Sequence, residues 1–185
     1  QHPSGYGRRS MKVEIKYRDS KSSDLASIEK LYPEAFPDED LVPLVSELLQ
    51  ETSDILSLVA YRKASLVGHV IFTRCRISNN SNACALLGPL AVDPARQGQG
   101  IGSAIVRLGL ERLVNVGVSD VFVLGDPAYY VRFGFQPRAG VEAPYTLPEE
   151  WREAWQSLSL TDEASSLKGK LLLPQPWLNP SLWIA

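Results

Sequence analysis

The sequence predicts a single α/β domain, and three observations support this prediction. The chain has 185 residues, which is enough for one well-buried core and rather few for two domains. Strand-like and helix-like patterns follow one another along residues 12–174, with no internal repeat and no linker between them. Near the middle, a strand-like run leads through three alternate glycines, Gly98, Gly100 and Gly102, into an amphipathic helix.

The first ten residues differ in character from the rest of the chain. Residues 1–10, QHPSGYGRRS, precede Met11 and are predicted to be a flexible arm or an expression remnant. We expect residues 11–185 to form the single domain.

The composition excludes two classes of partner. Hydrophobic residues make up 44% of the chain and charged residues 22%, and the formal net charge is −2, as is ordinary for a soluble globular protein. Because the Lys and Arg residues are scattered rather than clustered, we expect no nucleic-acid partner. No apolar run approaches the ~20 residues that span a bilayer, so we expect no membrane partner.

The cysteine pattern indicates no metal site. Cys75 and Cys84 are nine residues apart and lack further ligands at metal-binding spacing, whereas a structural zinc site needs about four Cys or His ligands. A disulfide is geometrically possible if two adjacent strands carry the pair. Without a secretory signal, we interpret both as buried thiols of a cytoplasmic protein.

The first half of the chain predicts two helices and three strands. Residues 12–17 alternate as a half-buried strand does, and residues 22–36 place Leu25, Ile28 and Leu31 at helical spacing behind a Ser/Asp N-cap. A second short helix is predicted at residues 38–50, with acidic residues at its positive end. Residues 55–62 and 66–75 then form a predicted hairpin.

The second half predicts a central strand, a strong helix and a less regular end. Residues 83–92 are nearly all apolar and predict a central strand, and residues 102–116 predict the strongest helix, with Gly117 as its C-cap. Residues 120–125 predict a buried strand, followed by a short helix that begins at Pro127 and ends by residues 133–135. Residues 147–155 look helical and residues 169–174 strand-like, while the proline-rich tail beyond is predicted to be neither.

The alternate glycines predict a phosphate-binding turn. The first turn of a helix carries unpaired N–H groups and the positive end of the helix dipole. Glycines remove the Cβ atoms that would keep a phosphate oxygen away from those amides. The alternative interpretation is a tight turn before a packed helix. The run lacks the Gly-Lys-Ser/Thr of a P-loop and the G-x-G-x-x-G of a dinucleotide fingerprint, since Ser103 and Ile105 occupy the last places.

Three short motifs carry a family resemblance. "QGQGIG", residues 97–102, matches the pattern Q/R-x-x-G-x-G/A, and "LLGPLAV" lies ahead of it at residues 86–92. "AYYVRFGF", residues 128–135, is similar to an aromatic-Tyr-x-x-x-Gly-Phe signature. Over residues 13–135 the chain resembles the GNAT superfamily of acyl-CoA-dependent N-acyltransferases, within it a branch of small bacterial predicted acetyltransferases. The resemblance implies an α/β (α+β) fold with a mixed, mostly antiparallel sheet of six or seven strands and helices on both faces.

The resemblance also implies the cosubstrate and its contacts. Acetyl-CoA is the expected cosubstrate, with its pyrophosphate bound by main-chain amides of the glycine turn. Those positions are Gln97, Gly98, Gln99, Gly100, Ile101, Gly102 and Ser103. The strand before the turn, Leu90, Ala91 and Val92, is expected to splay at a bulge and to bind the pantetheine arm and the thioester carbonyl. No metal is implied.

The same resemblance assigns Tyr130 as the acid that protonates the leaving thiolate, four residues before Gly134. The alternative for Tyr130 is core packing beside Tyr129 and Phe133. The sequence departs from the family at Val123, where an Asn that contacts the cofactor arm is common.

The remaining polar candidates are weaker. We interpret Asp126, where the family often has a small residue, as the N-cap of the helix that begins at Pro127. His69 has a suitable unperturbed pKa for a general base, although a lone histidine on a strand is more often structural. Four acidic residues could attract an ammonium group or simply form a solvated loop. They are Glu34, Asp38, Glu39 and Asp40.

The hypothesis is an N-acetyltransferase that moves an acetyl group from acetyl-CoA to a primary amine by direct attack. A non-catalytic acyl-CoA sensor is the alternative, and a dinucleotide-binding oxidoreductase is a distant third. The acceptor is expected to be a small-molecule or peptide amine, selected by residues 32–44 and by the segment after Gly140. A homodimer is possible. Four tryptophans near the end could line a pocket, but for most of them we favour a role in closing the core: Trp151, Trp155, Trp177 and Trp183.

Overall fold

The computed structural model describes residues 13–51, 53–137, 140–161 and 167–184. The prediction for residues 1–10 lies outside these ranges. None of the helices within them is long and apolar enough to cross a bilayer.

A mixed sheet of nine strands forms the centre of the described structure. The strands are β1 (Ile15–Asp19), β2 (Ile55–Arg62), β3 (Ser65–Ile77), β4 (Cys84–Val92), β5 (Asp120–Leu124), β6 (Gln136–Pro137), β7 (Val141–Glu142), β8 (Trp155–Ser159) and β9 (Gly169–Leu172). Their order is β1-β2-β3-β4-β5-β8-β6, and β9 pairs with both β3 and β7. Only β4–β5 and β7–β9 are parallel among these pairs, so the predicted mixed, mostly antiparallel sheet is confirmed.

The strand count exceeds the predicted six or seven for a physical reason. β6 and β7 are two residues each, too short to show any period. β8 is absent from the predicted strands, since residues 147–155 look helical and residues 156–159 have no predicted element. In the structure Glu149–Ala154 is a 3₁₀ helix, and the chain becomes extended at Trp155 to pair with β5.

Helices cover both faces of the sheet, as predicted. They are α1 (Leu25–Ala35), α2 (Val42–Gln50), α3 (Ile101–Asn115) and the single turn α4 (Pro127–Tyr130). On one face, Ile28 and Leu48 of α1 and α2 pack with Phe122 of the sheet and with the C-terminal segment. On the other, Ile105 and Leu113 of α3 pack with Phe72 and the rest of a second core. Gly117, with φ +84°, follows α3 as expected of a C-cap glycine.

The starts of the first two helices differ from prediction. The Asp24 side chain does not cap α1, because Arg18 binds it at 2.7 Å and the Tyr61 hydroxyl donates to it at 2.6 Å. α2 begins at Val42 rather than at residue 38, with Pro43 in its first turn. Its predicted acidic start therefore lies in the preceding exposed loop.

The cysteines and most of the tryptophans lie as expected. Cys75 and Cys84 face each other across β3 and β4, and both are free, buried thiols. Trp155, Trp177 and Trp183 are buried in the core that contains α1 and α2, which agrees with core closure for most of the four.

Candidate active site

The sheet opens between β4 and β5. Their parallel pairing ends at Leu87 and Val123, although β4 continues to Val92 alongside β3. The register against β3 shifts between Val70 and Phe72, which marks a bulge in this part of the sheet. None of the described strands therefore pairs with the edge of Leu90 to Val92 that faces away from β3.

The glycine turn that follows β4 is open to its surroundings. Gly98 has φ +78° and Gly100 has φ +82°, in the left-handed region that favours glycine. A Cβ atom built on either residue would meet no atom within 4 Å. The turn leads into the N-terminus of α3. Within the described residues, the amides of Gly100, Ile101, Gly102 and Ser103 donate to no acceptor.

A cleft of about 640 Å³ lies over this turn, and we call it the glycine-turn cleft. Its lining is Ala35, Phe36, Leu90, Val92, Arg96, Gln97, Gly98, Gly100, Ile101, Gly102, Ser103, Tyr129 and Arg132. Of the described residues in that lining, Arg96 and Arg132 are the charged ones, and none carries a carboxylate. An anion at the open amides would therefore meet only positive charge.

Most of the predicted cofactor-binding residues line this cleft, but two do not. Ala91 is buried and points into the core that contains α1 and α2, and the exposed Gln99 lies outside the lining. The side chain of Ile101 is also buried, so only its backbone is available to the cleft. The Gln97 side chain donates to the Val92 carbonyl at 3.3 Å.

Sequence reasoning missed Arg132. Its guanidinium lies 4.2 Å from the centre of the Tyr129 ring, and its Nε donates to the Tyr129 carbonyl at 2.8 Å. These contacts place it beside Ser103, at the start of α3. Arg96 directly precedes the turn in the sequence, and a basic residue next to a phosphate-binding turn was an available signal for a second cationic contact.

A second cavity of about 520 Å³ adjoins the first, and we call it the aromatic pocket. It is lined by Phe36, Glu39, Leu41, Leu44, Leu86, Leu87, Gly88, Pro89, Leu90, Val123, Leu124, Gly125, Asp126, Tyr129, Tyr130, Trp151, Ala154, Trp177, Leu182 and Trp183. The two cavities share Phe36, Leu90 and Tyr129. Their junction is therefore at the opened edge of β4.

Tyr129 belongs to this junction, and Tyr130 packs beside it. Tyr130 lines the aromatic pocket but not the glycine-turn cleft. The centre of its ring lies 5.0 Å from the centre of the Tyr129 ring and 5.8 Å from that of the Phe135 ring. Burial raises the pKa of Tyr130, and the nearby Tyr129 and Asp126 raise it further. Its hydroxyl therefore stays protonated at neutral pH. No hydrogen bond from that hydroxyl is found in the described part of the chain.

Tyr129 lines both cavities, which the sequence did not indicate. Its hydroxyl would lie 2.6 Å from a Cβ atom placed on Gly102. Gly102 thus leaves room for a phenol at the first turn of α3, in addition to any role in binding an anion.

Asp126 and Val123 behave as the sequence predicts. The Asp126 carboxylate accepts from the Ala128 amide at 3.0 Å, and Pro127 occupies the first turn of α4, so Asp126 is the N-cap. Val123 is buried within β5 and offers no polar contact where the family often has an Asn.

His69 lines neither cavity. It is fully buried, with Nδ1 2.7 Å from the Tyr32 hydroxyl and Nε2 2.8 Å from Ser57 Oγ. Burial lowers its pKa to about 3. These contacts favour the structural interpretation of His69. Of the four acidic candidates around the first helices, Glu39 lines the aromatic pocket, and Glu34, Asp38 and Asp40 line neither cavity.

Comparison with known proteins gives the family. The pattern of the Acetyltransferase (GNAT) family matches residues 25–135. The chain is 38% identical over 161 residues to the uncharacterized N-acetyltransferase YjhQ of Escherichia coli (strain K12), covering 83% of this chain and 89% of that protein.

Two solved structures are similar in fold and in sequence. The GNAT family N-acetyltransferase YhbS from Escherichia coli in complex with CoA superposes with a TM-score of 0.82 at 27% identity, covering 91% of this chain and 94% of that chain. A GNAT family acetyltransferase from Brucella melitensis in complex with acetyl-CoA has a TM-score of 0.72 at 28% identity, covering 89% and 99% respectively. The chain belongs to the GNAT family, as an N-acetyltransferase with acetyl-CoA as its cosubstrate.

Proposed function

We propose that the two adjoining cavities hold the two substrates of a single acetyl transfer. Acetyl-CoA occupies the glycine-turn cleft, and a primary amine occupies the aromatic pocket. The observation that carries this assignment is the set of unpaired amides from Gly100 to Ser103, which face a cleft with two arginines that opens onto a second cavity at Leu90. Among its solved relatives, one binds CoA and another acetyl-CoA.

The chain supplies the cofactor contacts mainly through its backbone. The amides at the start of α3 bind the pyrophosphate, and Arg96 and Arg132 neutralise its charge. The pantetheine arm runs beside the free edge of Leu90 to Val92 and leaves the thioester at the junction. A β4 amide directed at the thioester carbonyl stabilises the negative charge that develops on its oxygen.

The transfer proceeds by direct attack of a neutral amine. The amine loses one proton to solvent on binding, and its nitrogen lone pair forms a bond to the acetyl carbon while the carbon–sulfur bond breaks. Tyr130 donates its hydroxyl proton to the leaving sulfur. The second proton of the attacking nitrogen restores the phenol, so the products are the N-acetylated amine and CoA.

Substitution of the two tyrosines tests this assignment. We expect Tyr130→Phe to lower kcat by about 10²–10⁴-fold, the range for loss of a positioned general acid, while the Kd of acetyl-CoA stays unchanged. The matched variant Tyr129→Phe keeps the ring that lines both cavities and should retain most of kcat. The readouts are CoA release with a panel of amines and calorimetric titration with acetyl-CoA.

Two outcomes would contradict the proposal. Absence of acetyl-CoA binding would contradict the role proposed for the glycine-turn cleft as the cosubstrate site. Full activity of Tyr130→Phe, combined with a large loss of activity in Tyr129→Phe, would assign the acid role to Tyr129 instead.

The homodimer and the cytoplasmic location stay predictions.

A further inference from the structure

We infer that the acceptor is a small primary amine with an apolar, aromatic-sized body and no carboxylate, whose ammonium group passes between Glu39 and Asp126. This inference rests on the proposed function, because it takes the aromatic pocket as the acceptor site. It goes further in naming the chemical class of the acceptor and the two side chains that select it.

Most of the lining of the aromatic pocket is apolar, apart from the hydroxyls of Tyr129 and Tyr130 and the carboxylates of Glu39 and Asp126. Trp177 and Trp183 line it together with leucines, Phe36 and Pro89. The indole N–H groups of these two tryptophans are already used, since Trp177 donates to Thr73 Oγ1 at 3.0 Å and Trp183 to the Trp177 carbonyl at 2.8 Å. They therefore present only carbon to an occupant. An acceptor with many hydroxyl or amide groups would lose its hydrogen bonds to water there without replacement.

The size of the pocket limits the acceptor to a small molecule. Its volume of about 520 Å³ lies within the range of pockets that enclose drug-sized ligands. One aromatic or branched aliphatic body fits within such a space and gains from burial of its apolar surface.

The charges of the lining are all negative. Among the described residues of the lining, Glu39 and Asp126 are the charged ones, and none is a Lys, Arg or His. Both side chains are exposed, which places them at the mouth of the pocket rather than on its floor. They attract an ammonium group. A carboxylate or phosphate on the acceptor would meet like charge and no cationic partner.

Matched acceptors test the inference. CoA release is measured at saturating acetyl-CoA with 2-phenylethylamine and tryptamine, with phenylalanine and tryptophan, and with spermidine. The amino acids add only an α-carboxylate to the amines, and spermidine keeps the positive charge without the apolar body. We expect kcat/KM to be at least about tenfold higher for each amine than for its amino acid and for spermidine, and phenylalaninamide to exceed phenylalanine.

Charge-removing variants test the two selecting residues. Asp126→Asn keeps an N-capping side chain, so its effect reports charge rather than loss of α4. We expect Asp126→Asn and Glu39→Gln each to raise the KM for 2-phenylethylamine about three- to tenfold and to reduce its advantage over phenylalanine. The Kd of acetyl-CoA should not change. The control is Glu47→Gln, an exposed carboxylate on α2 outside both cavities.

The possible outcomes are distinguishable. Turnover of the amino acids or of spermidine at rates equal to or above those of the apolar amines would overturn this inference and leave the proposed function intact. Equal behaviour of all three carboxylate variants would also overturn it. If acetyl-CoA does not bind, or no amine is acetylated, the proposed function fails and the inference fails with it.

Discussion

The glycine-turn cleft and the aromatic pocket share a wall but are built in different ways. The cleft takes most of its lining from one continuous stretch, residues 96–103, and presents backbone amides with two arginines. The pocket collects side chains from Phe36 to Trp183, nearly the whole described chain, and presents aromatic rings with two carboxylates.

This difference fits the occupants proposed for the two cavities. A constant, anionic cosubstrate is well served by main-chain donors, which depend on backbone conformation and little on side-chain identity. A specific acceptor has to be distinguished from other amines by the shape and charge of side chains. The opposite charges of the two linings also direct an anion to one cavity and a cation to the other.

The largest expected effect concerns stability, because the aromatic pocket shares its tryptophans with the core. Trp183 is 1% exposed and contacts Trp155 and Trp177, with ring centres 5.7 and 5.9 Å apart. Trp183→Ala should lower the free energy of unfolding by about 3–5 kcal/mol, measured by urea denaturation. The half-buried Trp151, also in the lining, is the control, and Trp151→Ala should cost about 1 kcal/mol. Equal losses of unfolding free energy in the two variants would contradict the claim that the pocket shares its tryptophans with the core.

A change in the cleft should act on binding instead. Gly100 and Gly117 have φ +82° and +84° at opposite ends of α3, and neither has an atom within 4 Å of a Cβ position. Gly100→Val and Gly117→Val should therefore lose similar stability from backbone strain. Only Gly100→Val should weaken acetyl-CoA binding, by about 10–100-fold in Kd by calorimetry, since it distorts and crowds the open amides. An unchanged Kd of acetyl-CoA in Gly100→Val would show that the glycine turn is not part of the cofactor site.

A pH-dependent contact lies behind Phe36, a residue of the wall between the cavities. Phe36 follows α1, and Tyr32 of that helix binds the buried His69 at 2.7 Å. The pKa of His69 is about 3 in the folded state against 6.5 for an unperturbed histidine, so below pH 6.5 the unfolded chain takes up a proton that the native state does not. Stability should be full above pH 6.5 and fall with decreasing pH, with a slope approaching about 1.4 kcal/mol per pH unit from His69.

Urea titrations of the wild type and His69→Gln between pH 6.5 and 4.5 measure this slope. Asp24, whose pKa is lowered mainly by its hydrogen bond with Arg18, contributes only at lower pH. The variant should therefore show a flatter dependence in this window, whatever its absolute stability. The same slope in both proteins would contradict the assignment.

The smallest effect is expected from the arginines of the cleft. Arg132→Gln should raise the Kd of acetyl-CoA about three- to tenfold at low salt and less at high salt, because exposed charges are screened. Arg152→Gln, exposed and outside the glycine-turn cleft, is the control. A salt-independent effect would indicate a packing role for Arg132 on the Tyr129 ring.

The contrast between a cleft built from one continuous stretch and a pocket built from distant segments also explains which parts of the site could be predicted from the sequence. The glycine turn was predictable because three glycines in six residues fix the backbone locally, and the structure places Gly98 and Gly100 at positive φ. The long periodic helix α3 and the apolar β4 were predictable for the same reason. Local pattern decides these elements.

The aromatic pocket could be predicted only as far as the segments that contribute to it, residues 32–44 and the segment after Gly140, because its parts meet only in the folded chain. Trp151 and Trp155 have helical spacing, yet Trp155 joins β8 and stacks on Phe122, so strand pairing overrides the local period. Nothing in the sequence around Trp177 and Trp183 indicates that they reach β4, where the Trp177 ring lies 3.8 Å from a Cβ position on Gly88. Glu39 could not be distinguished from its acidic neighbours for the same reason.

A crystal structure with bound CoA tests the central claim most directly. We predict the pyrophosphate on the amides of Gly100 to Ser103, pantetheine along the free edge of Leu90 to Val92, and the sulfur at the junction within hydrogen-bonding reach of the Tyr130 hydroxyl. A pyrophosphate bound elsewhere, or a sulfur directed away from the aromatic pocket, would contradict the account.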